Sequence, residues 1–166
     1  MAVFSHLQRS SQFVLQTGLL LALLATPTRA ALDRDSDGIS DLWAALYPTA
    51  GSASQDPDGD GATNLAEAIA GTDPTVSASR FGAAPQRDAD GNLRLRWYGV
   101  PGKQYQLRSS PDLTTWTTLP EVYSGTGAEL APIIARADET SAPRLFFQVV
   151  VSDTDTDADT LNDWEE

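Results

Sequence analysis

The sequence predicts a mainly β protein: a small β-sandwich flanked by short acidic loop–helix units. Three observations carry that fold class. Residues 80–151 hold several short alternating runs broken by Gly, Pro and Asp, as antiparallel strands stacked in two sheets require. The flanking segments concentrate acids: residues 31–79 hold nine acids against Arg34 alone, and residues 152–166 hold seven acids and no base. In both flanks the acids alternate at a fixed spacing.

The first element is a leader. After Arg9 comes "FVLQTGLLLALLA" and then "TPTRA". A basic start, a short apolar core and small residues before a cut describe a secretory signal peptide, with Thr28 and Ala30 at the small positions and cleavage before Ala31. The apolar core is shorter than the roughly 20 residues of a spanning helix. The expectation is a secreted or cell-surface protein with no membrane span once residues 1–30 are removed.

What remains excludes several chemistries. The chain has no cysteine, and its one histidine, His6, leaves with the leader. A Ser-His-Asp triad, a thiol nucleophile and the usual zinc ligands are therefore absent. Segment 31–79 carries −8, 80–151 carries +1 and 152–166 carries −7. Nucleic acid and anionic membrane need a basic face, so neither is an expected partner. The acids of the middle segment (Asp88, Asp90, Asp112, Glu121, Glu129, Asp138, Glu139) sit mostly in turn-like contexts, and no acid–base pair stands out. The reading is of a protein that is not an enzyme.

Segment 31–79 contains "DPDGDGATNLAE". Asp56, Asp58 and Asp60 alternate, Gly61 follows, and Asn64 and Glu67 complete the set. Four carboxylates this close repel unless a cation sits among them. The spacing suits calcium, which takes six to eight oxygens at about 2.3–2.6 Å. Alternate side chains point inward, the glycine takes the tight turn, Ala62 offers its backbone carbonyl, and Glu67 closes the shell with two oxygens. The same slots in "DRDSDGISDLWA" hold Asp33, Asp35, Asp37, Ile39 through its carbonyl, and Asp41, but Ala44 stands where a closing glutamate belongs. A third run supplies Asp155, Asp157, Asp159, Leu161 through its carbonyl, Asp163 and Glu166, with Thr160 at the glycine slot. The first two loops start 23 residues apart. A solvated acidic linker explains a single run better than three in one slot pattern. "DADGN", Asp88–Asn92, lacks the third alternating acid and the closing acid, and reads as a hairpin turn on Asp90-Gly91.

Short helices should follow the loops. "NLAEAIAG" sets Leu65 and Ile69 on one face and ends at Gly71; "DLWAALYP" pairs Leu42 with Leu46 and Trp43 with Tyr47, and stops before Pro48. No strong helix precedes either loop. Two turns are not stable alone, so metal binding and mutual packing must hold them.

The two-loop segment, ending "NLAEAIAGTDP", resembles the thrombospondin type 3 and related calcium-binding repeats of exported bacterial proteins. The likeness covers roughly residues 33–74, and 153–166 looks like the opening of another unit. It implies structural calcium and a spacer or adhesive role. Dockerins are similar in shape, but their partner-recognition pair is not identifiable here.

The middle segment supplies strand candidates in "NLRLRWYGV", "KQYQLRSS", "TTWTTLPEVY", "AELAPIIAR" and "RLFFQVVVS". They favour a sandwich of the immunoglobulin or fibronectin type III kind. "GKQYQLRSSPDLTTWTTL" also resembles a β-module that accompanies such repeats in exported bacterial proteins. Trp97, Tyr98, Tyr105, Trp116 and Tyr123 form either core or a sugar-binding platform.

The expected organisation is a leader over 1–30, a two-loop calcium segment over 31–79, a sandwich over 80–151 and the start of a further repeat over 152–166. Calcium is the expected ligand, with another extracellular protein or a polysaccharide as candidate partners. A dockerin-like or carbohydrate-binding module of an exported polysaccharide-degrading system is the alternative. The charge split predicts that calcium orders 33–74 and barely alters 80–151. Because Glu166 falls on a closing slot with nothing after it to cover Trp164, the sequence also predicts a longer natural chain and a mobile 152–166.

Overall fold

The computed structural model describes residues 33–136, 145–158 and 161–166. The leader and the loop-three residues Asp159 and Thr160 lie outside them. No described helix is long and apolar enough to cross a membrane.

Two short helices follow the first two acidic loops. Helix α1, Asp41–Leu46, is capped by Ser40, whose Oγ accepts from the Leu42 N–H. Helix α2, Asn64–Ala70, is capped by Thr63, and Gly71 ends it at φ +75°. A side chain at Gly71 would be doubly unwelcome. The φ is left-handed, and a Cβ would stand 2.9 Å from Val100 Cγ1 and 3.2 Å from Lys103 Cε. Gly71→Ala is therefore expected to cost about 1–3 kcal/mol, read as a lower urea midpoint at unchanged slope.

Seven strands follow: β1 Ala84–Arg87, β2 Leu93–Gly99, β3 Lys103–Ser110, β4 Thr117–Ser124, β5 Ala128–Leu130, β6 Ile133–Ala135 and β7 Phe146–Asp153. They make two antiparallel sheets. One runs β1-β2-β5, with β6 also on β2; the other runs β4-β3-β7. Alternation does what the sequence asks of it. Strand β2 buries Leu93, Leu95 and Trp97 and turns Arg94, Arg96 and Tyr98 the other way. Strand β3 buries Tyr105 and Leu107. Leu95, Trp97, Tyr105 and Leu107 form the sandwich core with Val149 and Val151 of β7, and the Tyr105 hydroxyl accepts from the Val100 N–H at 2.8 Å.

Some details differ from the sequence expectation. "AELAPIIAR" is two strands, because Pro132 cannot donate and the register of β6 on β2 is irregular. Strand β1 contains Pro85 and shows no alternation, so its pattern is silent; it is wholly exposed and lies at a sheet edge. The Asp88–Asn92 turn is as expected: it joins β1 to β2, with the Asp88 N–H bonded to the Asn92 carbonyl and Gly91 at φ +83°.

The helices also correct their pairing. Trp43 is buried and its ring lies 4.8 Å from that of Tyr47, whereas Leu46 is 62% exposed. Leu65 and Ile69 serve different cores. Leu65 packs with Ile39, Trp43 and Ala50, while Ile69 packs on the sandwich. Helix α2 thus stands between the two.

The carboxy-terminal residues pack against the first segment. Trp164 packs on the Ile39–Trp43–Ala50 cluster, and Glu165 is 9% exposed. The expectation of an uncovered Trp164 fails because the cover comes from the first segment, far away in sequence.

Candidate metal centre

The second loop is built by its own aspartates. Asp56 accepts from the N–H groups of Gly59 and Gly61, at 2.8 and 3.0 Å. Asp58 Oδ1 takes the Asp60 N–H at 3.1 Å, and Asp60 Oδ1 takes the Ala62 N–H at 2.7 Å. These bonds curl the backbone until carboxylate oxygens of Asp56, Asp58 and Asp60 all lie within 4.8 Å of one another. Gly59 and Gly61 supply the turn at φ +76° and +95°.

The remaining oxygens define the site. Asp58 Oδ2, Asp60 Oδ2, Asn64 Oδ1 and Glu67 Oε2 are buried with no hydrogen-bond partner. Asn64 and Glu67 are fully buried. Asn64 spends its amide N–H groups on the carbonyls of Ala50 and Ser52, each at 2.8 Å, which leaves its Oδ1 unclaimed. Glu67 Oε1 accepts from Thr72 Oγ at 3.2 Å. Burial pushes the Glu67 carboxyl up to about 7; the Thr72 hydroxyl opposes this, and Asp58, Asp60 and Asp56 add to the rise. Buried polar atoms are nearly always bonded. Here four unbonded acceptors fall on four residues of one predicted ligand set.

The first loop has the same shape with different endings. Asp33 accepts from the N–H groups of Asp37 and Gly38, and Asp37 from Ile39. Oxygens of Asp33, Asp35 and Asp37 gather within 4.8 Å. Asp41 instead bonds the Arg34 N–H at 3.2 Å and pairs with its guanidinium at 3.4 Å. Ala44 is exposed, and none of the loop-one acids carries a buried unbonded oxygen.

Of the third loop, Asp155, Asp157, Asp163 and Glu166 are exposed and Leu161 is half-buried. Asp163 accepts from the Thr156 N–H and hydroxyl, each at 2.7 Å.

Three repeated details tie the loops together. The fourth slot is left-handed in each: Ser36 at φ +60°, Gly59 at +76° and Ala158 at +59°. The ninth-slot N–H bonds to the carbonyl just before the loop, Asn64 to Gln55 and Asp163 to Thr154. The ninth-slot carboxylate takes the second-slot N–H in loops one and three, Asp41 from Arg34 and Asp163 from Thr156. Sequence reasoning missed the fourth slot, since only Gly59 advertises it.

The sequence also missed Lys103. It is 3% exposed, paired with Asp153, and donates to the Ala68 carbonyl at 2.8 Å. The signal was present: residues 103, 105 and 107 share the inward phase of β3, and a lysine on that face demands a carboxylate.

The aromatic candidates are mostly core. Trp97 and Tyr105 are buried, and Tyr123 meets Trp97 edge-on at 5.9 Å. Trp116 is half-buried; Tyr98 is 59% exposed beside Arg96 and Glu129.

Comparison with family models, with curated proteins and with solved structures gives no match.

Proposed function

We propose that this protein binds calcium through its second acidic loop and serves as an exported structural or adhesive spacer, not as an enzyme. The observation that carries the reading is the set of four buried, unbonded oxygens on Asp58, Asp60, Asn64 and Glu67. Asp56 and the Ala62 carbonyl complete a shell of the size calcium takes. Magnesium fits less well, because it demands a compact octahedron and gives up its waters reluctantly. The export reading rests on the leader sequence. The sheet orders β1-β2-β5 and β4-β3-β7 also support a sandwich of the immunoglobulin or fibronectin type III kind.

Titration calorimetry with calcium, repeated with magnesium, tests the reading. The loops are expected to be unequal, since loop one lacks a closing carboxylate and engages Asp41 with Arg34. Asp58→Ala should weaken the tightest calcium binding by about 100-fold, and Asp35→Ala by less than about 10-fold. Equal losses would mean that the two sites are either equivalent or fused into one cluster.

A further inference from the structure

We infer that calcium at the second loop is thermodynamically linked to the seating of residues 161–166, so that the occupied site holds the carboxy-terminal segment down and the empty site loosens it. The inference rests on the calcium reading above and adds the regulation of that site.

Helix α2 is the shared element. Glu67 holds a buried, unbonded Oε2 and feels the charges of Asp58, Asp60 and Asp56. The next residue, Ala68, gives its carbonyl to Lys103 Nζ and packs in the same small core as Trp164. The Lys103 ammonium lies 5.5 Å from the centre of the Trp164 ring. Asp153 pairs with that ammonium and accepts the Trp164 indole N–H at 2.9 Å. Glu165 accepts from the hydroxyl of Ser40, the cap of α1, and from the Asn162 N–H. There is no slack nearby: a Cβ on Gly102 would stand 3.2 Å from Trp164 Cβ.

Without an ion, Glu67 faces Asp56, Asp58 and Asp60 with no counter-charge, and repulsion drives the start of α2 away from the loop. An ion reverses that force. Any tilt of α2 moves the Ala68 carbonyl and the floor beneath Trp164. Ligand and tail therefore prefer the same position of α2, and linkage makes the effect reciprocal.

Hydrogen exchange on the full chain, in calcium and in chelator, reads one direction. The Asp163 and Glu165 amides bond to the carbonyls of Thr154 and Asn162, at 2.8 and 2.7 Å. Calcium is expected to slow both by about 10-fold or more. Calorimetry reads the other direction: Trp164→Ala should weaken calcium binding by a similar factor, although Trp164 offers no ligand atom. Glu165→Gln is the milder partner variant, in case Trp164→Ala folds poorly, and should shift affinity the same way. Asp58→Ala should move the calcium effect on both amides to about 100-fold higher calcium. Tail exchange that ignores saturating calcium, or unchanged affinity in both tail variants, overturns the linkage and leaves the calcium reading standing. No calcium heat from the unsubstituted chain overturns both.

Discussion

Replacing Glu67 with glutamine is expected to weaken calcium binding at the second loop sharply and, in chelator at pH 8, to stabilise the fold. The two effects share one cause. Glu67 is fully buried, and its carboxyl is pushed up to about 7 from an ordinary 4.5. A carboxyl raised on folding costs nothing while both states are protonated, below about pH 4.5. The penalty grows as pH rises toward 7 and is complete above it. The shift corresponds to about 3 kcal/mol. Glutamine carries no charge, so it escapes that penalty. It lacks the two anionic oxygens that would close the proposed calcium shell, so affinity should fall by at least about 100-fold. Urea unfolding in chelator at pH 4.5 and pH 8 checks the sign. The unsubstituted chain should lose more stability over that interval than Glu67→Gln does, by about 3 kcal/mol. Equal losses would show that Glu67 ionises freely in the calcium-free protein.

Lys103→Met should cost about 3 kcal/mol, equivalent to about 10 °C in thermal midpoint for a chain of this size. Methionine keeps the stem and removes the charge. The Ala68 carbonyl then loses its donor, and Asp153, with its side chain 23% exposed, loses its counter-ion. Removing one partner leaves the other charge poorly solvated, which is the expensive way to break a buried pair. A double-mutant cycle with Asp153→Ala should return a coupling of about 1–3 kcal/mol. A single-variant loss below about 1 kcal/mol would mean that the ammonium is better solvated than its 3% exposure implies.

Most of the sheet pattern was legible, because burial of one face writes itself as period two in β2 and β3. The curl of the second loop was legible because alternate aspartates, Asp56, Asp58 and Asp60, bring their oxygens together; the burial of Asn64 and Glu67 shows only in the fold. The joins were not. Lys103 meets Asp153, Ser40 meets Glu165, and Trp164 meets Trp43 across long stretches of chain. No local pattern encodes such distant pairs. Sequence charge suggested independent modules for the same reason: a charge count is local, and it does not see that Ile69 faces the sandwich while Leu65 faces away from it.

The contact of Ser40 with Glu165, 125 residues apart, has a mechanical consequence. In the spacer role proposed above, load would enter through the two flanking segments. Here those segments touch each other directly, so tension reaches their shared contact before it reaches the strands. That contact consists of the Ser40–Glu165 bond and the packing of Trp164 on the Ile39–Trp43–Ala50 cluster. The sandwich, whose β3 and β7 are zipped in register from Lys103–Asp153 to Ser110–Phe146, stays out of the load path until the flanks have parted. Forced opening is governed by the rate of the first rupture, and under such a load the flanks are expected to part first, with the β-core still folded.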